Sequence, residues 1–153
     1  MFDKRNAQVE ILREMFNTKR RPTLLDIGGK IGVTTNGYYA YIFDESELFI
    51  DTRKLRKTDF AQAVGEFTPE RQLRLSKVTY EANPYLTERV LVAADGTQVV
   101  VNDAFLRKFS NCVFYGDGAL SPVFCVNGVG GLCGMVLPLR VTNDFVEKEL
   151  HQK

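Results

Sequence analysis

The sequence contains one histidine and no tryptophan, and the shortage of histidine limits the chemistry open to the protein. Histidine is the side chain whose ordinary pKa lies nearest neutral pH, and it is also the commonest metal ligand. The one histidine, His151, lies close to the end of the chain, in a segment that we expect to be a frayed tail. We therefore expect no histidine-based triad, no metal site and no cofactor, and we predict that the protein is not an enzyme.

Cysteine is also scarce, and its spacing argues against a disulfide framework or a metal site. The three cysteines are an odd number and include no Cys-x-x-Cys pair. Cys112, Cys125 and Cys133 each lie in or beside an apolar segment that is predicted to be a strand. Because buried cysteine behaves as a small apolar residue, we expect three reduced thiols in the core.

Long apolar runs and a charge excess are both missing. No run approaches the roughly 18 apolar residues that a membrane-spanning helix needs, and residues 1–21 lack the apolar stretch of a signal peptide. The sequence thus predicts a cytoplasmic protein with no membrane partner. The formal net charge of +1 gives no overall field that would attract nucleic acid, so any such contact must use a local basic patch.

Acidic and glycine-rich clusters are present, but their context does not predict catalysis. A solvated loop explains the acidic group in residues 44–47. The four glycines in residues 128–134 precede an extended segment, whereas a phosphate-binding loop opens a helix, so we interpret them as a flexible connection between strands. An enzymatic function would require a deep polar pocket with convergent carboxylates, such as Asp26, Asp44 or Asp117.

The composition is that of a globular protein, with 44% hydrophobic and 25% charged residues. Apolar positions spaced by three and four residues predict a first helix that ends before Pro22, and they are Val9, Ile11, Leu12, Met15 and Phe16. Further helices are predicted from Thr58 or Asp59 to Val64, from Ala104 to Phe109 after an Asp103 cap, and from Asn143 to Leu150.

Short apolar segments with turn signals predict antiparallel strands between these helices. The Asn36-Gly37 pair favours a tight hairpin, because both residues tolerate positive φ. The alternation of apolar residues between 73 and 80 slips once, which indicates a β-bulge. Later strands are predicted at residues 86–93 and 98–102, around a turn at 94–97, and near residues 112–115, 122–126 and 133–141.

These elements predict an α+β fold, mainly an antiparallel sheet with short helices packed on one face. We expect a single domain over residues 1–153, with possible helix-plus-strands halves at 1–70 and 71–142 and a tail at 143–153. A helix followed by strands occurs twice, in residues 8–43 and again in residues 103–141.

Two clusters of basic residues are candidates for contact with nucleic acid. One ends the first helix, where positive charge also favours the helix dipole, and the other is denser. Lysine and arginine side chains that contact phosphates would make binding salt-dependent, whereas a solvated basic surface is the structural alternative. The candidate residues are Lys19, Arg20, Arg21, Arg53, Lys54, Arg56 and Lys57.

The last third of the chain has a distinctive order of short motifs. A strand runs into Asn102 and a helix that contains Phe105-Leu106; Leu120-Ser121-Pro122 then precedes a strand, and Leu137-Pro138-Leu139-Arg140 comes last. This order over residues 98–141 resembles the C-terminal domain of the bacterial DNA polymerase III beta subunit, the sliding clamp. A clamp chain contains several such domains, whereas this chain is long enough for one.

The resemblance implies a domain of strands backed by helices, and in the family several such domains close into a ring around duplex DNA. A ring of this chain would need many copies, so the hypothesis is a clamp-like domain that binds nucleic acid or a replication protein as a homo-oligomer. Clamp partners dock linear peptides into an apolar cleft beside the terminal segment. The resemblance places Ser121, Val123, Leu137, Pro138 and Leu139 at that cleft.

An alternative hypothesis is a phage or mobile-element accessory protein, or a structural interaction module, with no nucleic-acid role. The near-neutral charge and the aromatic hairpin at residues 38–41 support it. Successive strand residues face opposite sides, so we expect Tyr39 and Tyr41 on one face and Tyr38 with Ala40 on the other.

Overall fold

The computed structural model describes residues 3–16, 22–27, 29–57, 71–128 and 131–139. Its helices are α1 (Lys4–Met15) and α2 (Asp103–Leu106), with 3₁₀ turns at Glu45–Glu47, Thr52–Lys54 and Arg107–Phe109. Its strands are β1 (Thr23–Ile27), β2 (Lys30–Thr34), β3 (Tyr39–Phe43), β4 (Arg56–Lys57), β5 (Gln72–Asn83), β6 (Leu86–Ala93), β7 (Gln98–Asn102), β8 (Val113–Tyr115), β9 (Val123–Val126) and β10 (Leu132–Val136). Within these ranges no helix has the length and apolar character that would let it cross a membrane.

The helices predicted at residues 58–64 and 143–150 lie outside the described residues, as do Lys19, Arg20, Arg21 and His151.

The described strands form one sheet in the order β4-β1-β2-β3-β10-β9-β8-β5-β6-β7. Every neighbouring pair is antiparallel except β1 with β4, which pair in parallel at the edge. The predicted α+β class with a mainly antiparallel sheet is therefore confirmed. The predicted turns are also present, since Gly37 and Gly96 have φ values of 82° and 89° in the two predicted hairpins. The predicted bulge is present as well, because the register of β5 with β6 shifts between Leu75 and Thr79.

A helix followed by an antiparallel meander of three strands occurs twice in the sheet. The first unit is α1 with β1, β2 and β3, and the second is α2 with β8, β9 and β10. The last strands of the two units pair antiparallel at the centre of the sheet, with Ala40 opposite Met135. The two units therefore lie side by side and run in opposite senses.

Both helices pack on the same face of the sheet. Tyr39, Tyr41 and Phe43 of β3 join Ile11 of α1 and Phe109, beyond α2, in the main core. The alternate β3 residues, Ala40 and Ile42, belong to a second apolar cluster on the opposite face, which also holds Leu25, Ile27, Phe124, Leu132 and Met135. A third cluster contains Val78, Val90 and Val100 of β5, β6 and β7.

The helix predicted near the start of the chain is present as α1, but not all of the apolar residues that define its spacing are buried. Val9 and Phe16 are 39% and 85% exposed. The buried residues of the helix are Ala7, Gln8 and Ile11. Gln8 can be buried because both ends of its amide are used, since its Nε2 donates to Glu47 O and its Oε1 accepts from Phe49 N, each at 2.8 Å.

The cap of α2 is Asn102 rather than Asp103. The Asn102 side chain accepts a hydrogen bond from Ala104 N, and Asp103 is the first residue of the helix. Asp103 is buried and pairs instead with Arg89 at 3.0 Å and Arg107 at 2.8 Å. Asp103 therefore holds the helix against β6.

The final predicted strand, at residues 133–141, is shorter than expected because β10 ends at Val136. Beyond it the backbone changes partners, since Leu137 N donates to Tyr38 O at 2.9 Å and Leu139 N donates to Val100 O at 2.7 Å. Pro138 between them has no N–H to donate. Residues 137–139 thus bridge β7, at one edge of the sheet, and the turn before β3.

Candidate binding surface

The strand register brings the Leu-Ser-Pro and Leu-Pro-Leu segments together. Val123 lies opposite Val136, so Pro122 and Leu137 are neighbours at the ends of adjacent strands. Leu120 precedes them in a turn closed by a hydrogen bond from Ser121 N to Gly118 O. We call Leu120, Pro122, Leu137, Pro138 and Leu139 the terminal apolar surface.

The members of the terminal apolar surface differ in how much of them is free for a partner. Leu120 is 72% exposed, which makes it one of the most exposed large apolar side chains in the described chain. Leu137 and Leu139 are both half-buried. Leu137 packs on the second apolar cluster, and Leu139 packs on the third apolar cluster. Pro138 and Ser121 are also half-buried.

Val123 does not belong to this surface. It is fully buried in the main core, so it is not a contact for a peptide, which corrects the expectation drawn from the resemblance. Leu120 was part of the motif but was not expected to bind. Its position in a turn directly before Ser-Pro was the sequence signal for its exposure.

The denser basic cluster lies on the β4 edge of the sheet. The Arg53 side chain is 89% exposed and pairs with Asp51, with Nε and Oδ1 3.1 Å apart. Arg56 is exposed on β4. The structure describes the backbones of Lys54 and Lys57 but not their side chains, so only two of the seven predicted basic residues have described side chains.

Helix α1 presents a second, unpredicted basic surface. Arg5, Val9, Arg13 and Phe16 are exposed and follow one another at helical spacing, on the side away from buried Ala7 and Ile11. Among the described residues, no ion pair involves the side chain of Arg5 or Arg13. The spacing of the two arginines, about two helical turns apart, was the signal for this surface in the sequence.

A cluster of polar side chains joins the first helical unit to the second. Glu10 of α1 accepts hydrogen bonds from Tyr39 at 2.9 Å, from Tyr41, and from Lys108 at 2.9 Å. The Lys108 ammonium also lies 5.1 Å from the centre of the Tyr39 ring. Tyr39 and Tyr41 share a face, as predicted, but both are buried and serve this cluster and the main core.

The contacts in this cluster keep Glu10 ionised and Tyr41 neutral. Burial raises the pKa of Glu10, but the hydrogen bonds from Tyr41, Lys108 and Tyr39 outweigh burial, so the net pKa lies below its ordinary value. Burial and the hydrogen bond to Glu10 raise the pKa of Tyr41. Glu10 is therefore held ionised beside a protonated lysine and two neutral tyrosines, an arrangement that fixes α1 to β3.

Tyr38 differs from the expectation because β3 begins one residue later. Tyr38 is in the turn and is exposed, and its ring stacks on Phe105 with centroids 6.4 Å apart. The ring of Tyr39 also contacts Phe105, at 4.9 Å. Tyr38 therefore lies on the α2 side and does not share a face with Ala40, which belongs to the second cluster.

The carboxylates that an enzymatic function would need do not meet in a deep pocket. Asp26, Asp44 and Asp117 are all exposed. Asp44 is held by Lys30 at 2.7 Å, and Asp26 accepts a hydrogen bond from Gly29 N in the β1–β2 turn. In the part of the chain that the structure describes, no three His, Cys, Asp or Glu side chains are grouped so that they could hold a metal ion.

The candidate surfaces are thus the terminal apolar surface, the β4 edge and the exposed side of α1. Only the first combines a strongly exposed leucine with the motifs of the resemblance. Comparison with protein-family models, with curated proteins and with solved structures finds no match to this chain.

Proposed function

We propose that the protein is a non-enzymatic binding domain, similar to a sliding-clamp domain, that holds an extended peptide of a replication protein on the terminal apolar surface. The observation that carries the proposal is the pairing of Val123 with Val136, which makes neighbours of two motifs that are 14 residues or more apart in the chain. Leu120 is exposed and the other members are half-buried, and contiguous apolar surface of this kind is typical of interaction sites.

The order of elements supports the same proposal. From β7 the chain runs through α2 and then through β8, β9 and β10, which is the strand, helix and three strands that the resemblance implies. Partly buried Leu137 and Leu139 are held by packing on two clusters and by their backbone hydrogen bonds. A peptide would therefore meet a rigid apolar floor beside the exposed Leu120, which limits the entropy lost on binding.

The proposal is tested with a labelled clamp-recognition peptide in a fluorescence-anisotropy titration. Leu120→Asp places a charge where the peptide would contact the surface, and we expect affinity to fall at least tenfold because the carboxylate loses water without gaining a partner. Leu120 is 72% exposed, so the substitution leaves the fold intact.

Leu75→Asp is the matched control, because Leu75 is an exposed leucine on β5, which lies three strands from β10 in the sheet order. We expect this variant to bind the peptide as the wild type does. Equal binding by wild type and Leu120→Asp, or no binding by the wild type, would contradict the proposal.

A second candidate function is contact with duplex nucleic acid, and the exposed side of α1 favours it. Arg5 and Arg13 are two turns apart and point away from the core, so both could meet phosphates of one backbone. Affinity for a duplex should then fall steeply with salt. Arg5→Glu with Arg13→Glu should reduce the slope of this salt dependence by about one unit for each arginine that no longer neutralises a phosphate.

The pair Arg53→Glu with Arg56→Glu distinguishes the two basic surfaces by the same salt series. If this pair and not the α1 pair reduces binding, the β4 edge is the nucleic-acid contact. If the wild type binds no duplex even at low salt, the accessory or structural module without a nucleic-acid role is favoured.

A further inference from the structure

Two of the three cysteines meet within the second helical unit. The Sγ atoms of Cys112, which lies just before β8, and Cys133, on β10, are 3.4 Å apart. The Cys112 backbone is fixed by a hydrogen bond from its N–H to Phe109 O at 3.2 Å. A disulfide bond is about 2.05 Å long, so rotation of the two side chains needs to close only about 1.4 Å.

The two thiols have different environments. Cys112 is only half-buried, whereas Cys133 is fully buried and its thiol donates to Cys125 O at 3.3 Å. The Cys133 thiol can also turn its proton toward Cys112, and this hydrogen bond lowers the pKa of Cys112 despite burial. The hydrogen bond to Cys112, together with burial, raises the pKa of Cys133.

We propose that Cys112 and Cys133 form an oxidisable dithiol, a site of covalent modification at which a hydroperoxide converts the two thiols into a disulfide. Cys112 is the attacking sulfur because it belongs to the less buried residue and is the better thiolate. Cys133 is the resolving sulfur because it lies in contact with Cys112. This inference does not depend on the function proposed above.

The reaction balances in two steps. The Cys112 thiolate attacks one oxygen of the hydroperoxide, the O–O bond breaks, and the alkoxide or hydroxide that leaves takes a proton from water. Cys112 is then a sulfenic acid. The Cys133 sulfur attacks the Cys112 sulfur and loses its proton, the S–O bond breaks, and the hydroxide leaves with that proton as water. Together the two thiols lose two electrons. An organic hydroperoxide is reduced to an alcohol and one water molecule, and hydrogen peroxide is reduced to two water molecules.

The product would lie within the second helical unit and would join the turn that follows α2 to β10, at the centre of the sheet. Cys133 precedes Gly134, on which the Phe109 ring packs, and Cys112 follows the 3₁₀ turn that ends at Phe109. The bond would close a loop between residues 21 positions apart. Cys125 is fully buried, and its burial raises the pKa of its thiol, so we expect it to stay reduced.

The test uses the full chain, reduced and then exposed to excess hydrogen peroxide. After quenching, the protein is denatured, its remaining thiols are alkylated with N-ethylmaleimide, and its mass and disulfide-linked peptides are measured. We expect one alkylated cysteine per chain in place of three, a chain two hydrogen atoms lighter before alkylation, and a peptide linking Cys112 to Cys133. Dithiothreitol should restore three alkylated cysteines.

Variants assign the roles of the three sulfurs. Cys125→Ser should still form the linked peptide, whereas Cys133→Ala should leave Cys112 carrying oxygen atoms and form no internal bond. Three alkylated thiols in oxidised wild type, a peptide in which Cys112 carries two oxygen atoms, or a bond between two chains would each overturn the proposal. The wild-type peptide map decides the matter even if Cys133→Ala does not fold.

Discussion

Gly134 shows how a missing side chain can determine the packing of a core. It lies in β10, where a Cβ atom would stand 1.9 Å from Cε1 and 2.3 Å from Cζ of Phe109. The Phe109 ring, itself fully buried, therefore lies directly on the backbone of the central strand and contacts Tyr41 with centroids 5.5 Å apart. The interpretation of this glycine as part of a flexible connection is wrong, although Gly128 does lie in that connection.

Gly134→Ala should destabilise the protein by about 2–4 kcal/mol, because the Phe109 ring has to leave its position in an overpacked core. Gly128→Ala is the matched control, since a Cβ there meets nothing within 4 Å, and its effect should be within about 0.5 kcal/mol. Urea unfolding measures both free energies. Equal stability of the two variants would mean that Phe109 does not pack on Gly134.

Glu10 should make the stability of the protein depend on pH in the acid range. Its folded pKa lies below the ordinary 4.5, so its contribution is complete above that value and is lost as pH falls through the folded pKa. Glu10→Gln should cost about 1 kcal/mol at pH 7, since a third of the side chain is exposed and solvent screens it.

The measurement is urea unfolding of wild type and Glu10→Gln at pH 7 and below pH 4, where we expect the difference to shrink. Glu45→Gln, which alters an exposed acid, is the control and should change little at either pH. A difference that stays constant with pH would show that the Glu10 charge does not stabilise the fold.

Individual residues were predictable from sequence where local geometry determines their role. Gly37 and Gly96 are such cases, because a tight turn requires positive φ whatever surrounds it. The burial of Gln8 was not predictable, since its amide is satisfied by Glu47 and Phe49, about 40 residues away. For the same reason the sequence did not show that Pro122 and Leu137 are neighbours, since this contact depends on the pairing of β9 with β10.

At the scale of elements, α2 depends on a buried ion pair more than on its own length. A helix of four residues has little intrinsic stability, so its attachment to the sheet matters. Asp103 supplies this attachment, with its carboxylate between Arg89 of β6 and Arg107. Arg89 also donates to Ser76 O at the β5 bulge, so the helix, the bulge and β6 are connected through one arginine.

Asp103→Asn should cost about 2–4 kcal/mol, because it removes the charge that compensates the partly buried Arg89 guanidinium. Asp51→Asn is the comparison: Asp51 pairs with the highly exposed Arg53, and its loss should cost at most about 1 kcal/mol. Chemical unfolding of the two variants tests this order. Similar small losses in both would mean that α2 is held by apolar packing alone.

The strands were predicted well because each hairpin carries its own turn signal, but their order in the sheet was not. β3 and β10 pair although some 90 residues separate them, and no local pattern in the sequence specifies that contact. The predicted end of the last strand was wrong for a related reason. Residues 137–139 are apolar enough for a strand, yet their hydrogen bonds go to Tyr38 and Val100, so β10 ends at Val136.

At the scale of the whole molecule, the two helix-and-meander units share one core. The main cluster draws Ile11 and Phe43 from the first unit and Phe109 and Val136 from the second, while the β3–β10 pairing connects their backbones. The Glu10–Lys108 ion pair crosses between the units as well, at 2.9 Å. Neither unit can open without exposing apolar surface of the other, so we expect one cooperative unfolding transition.

Hydrogen exchange of the full chain tests this coupling through a mild change in one unit. Ile11 of α1 is fully buried, and Ile11→Val should cost about 1 kcal/mol by removing one methyl group from the core. If the core is shared, the slowest amides of β8, β9 and β10 should lose as much protection as those of β1, β2 and β3, because both sets exchange only through global unfolding. Val9→Ala, at an exposed position of the same helix, should leave both sets nearly unchanged. A loss confined to the first unit would instead identify two cooperative units, divided between β3 and β10.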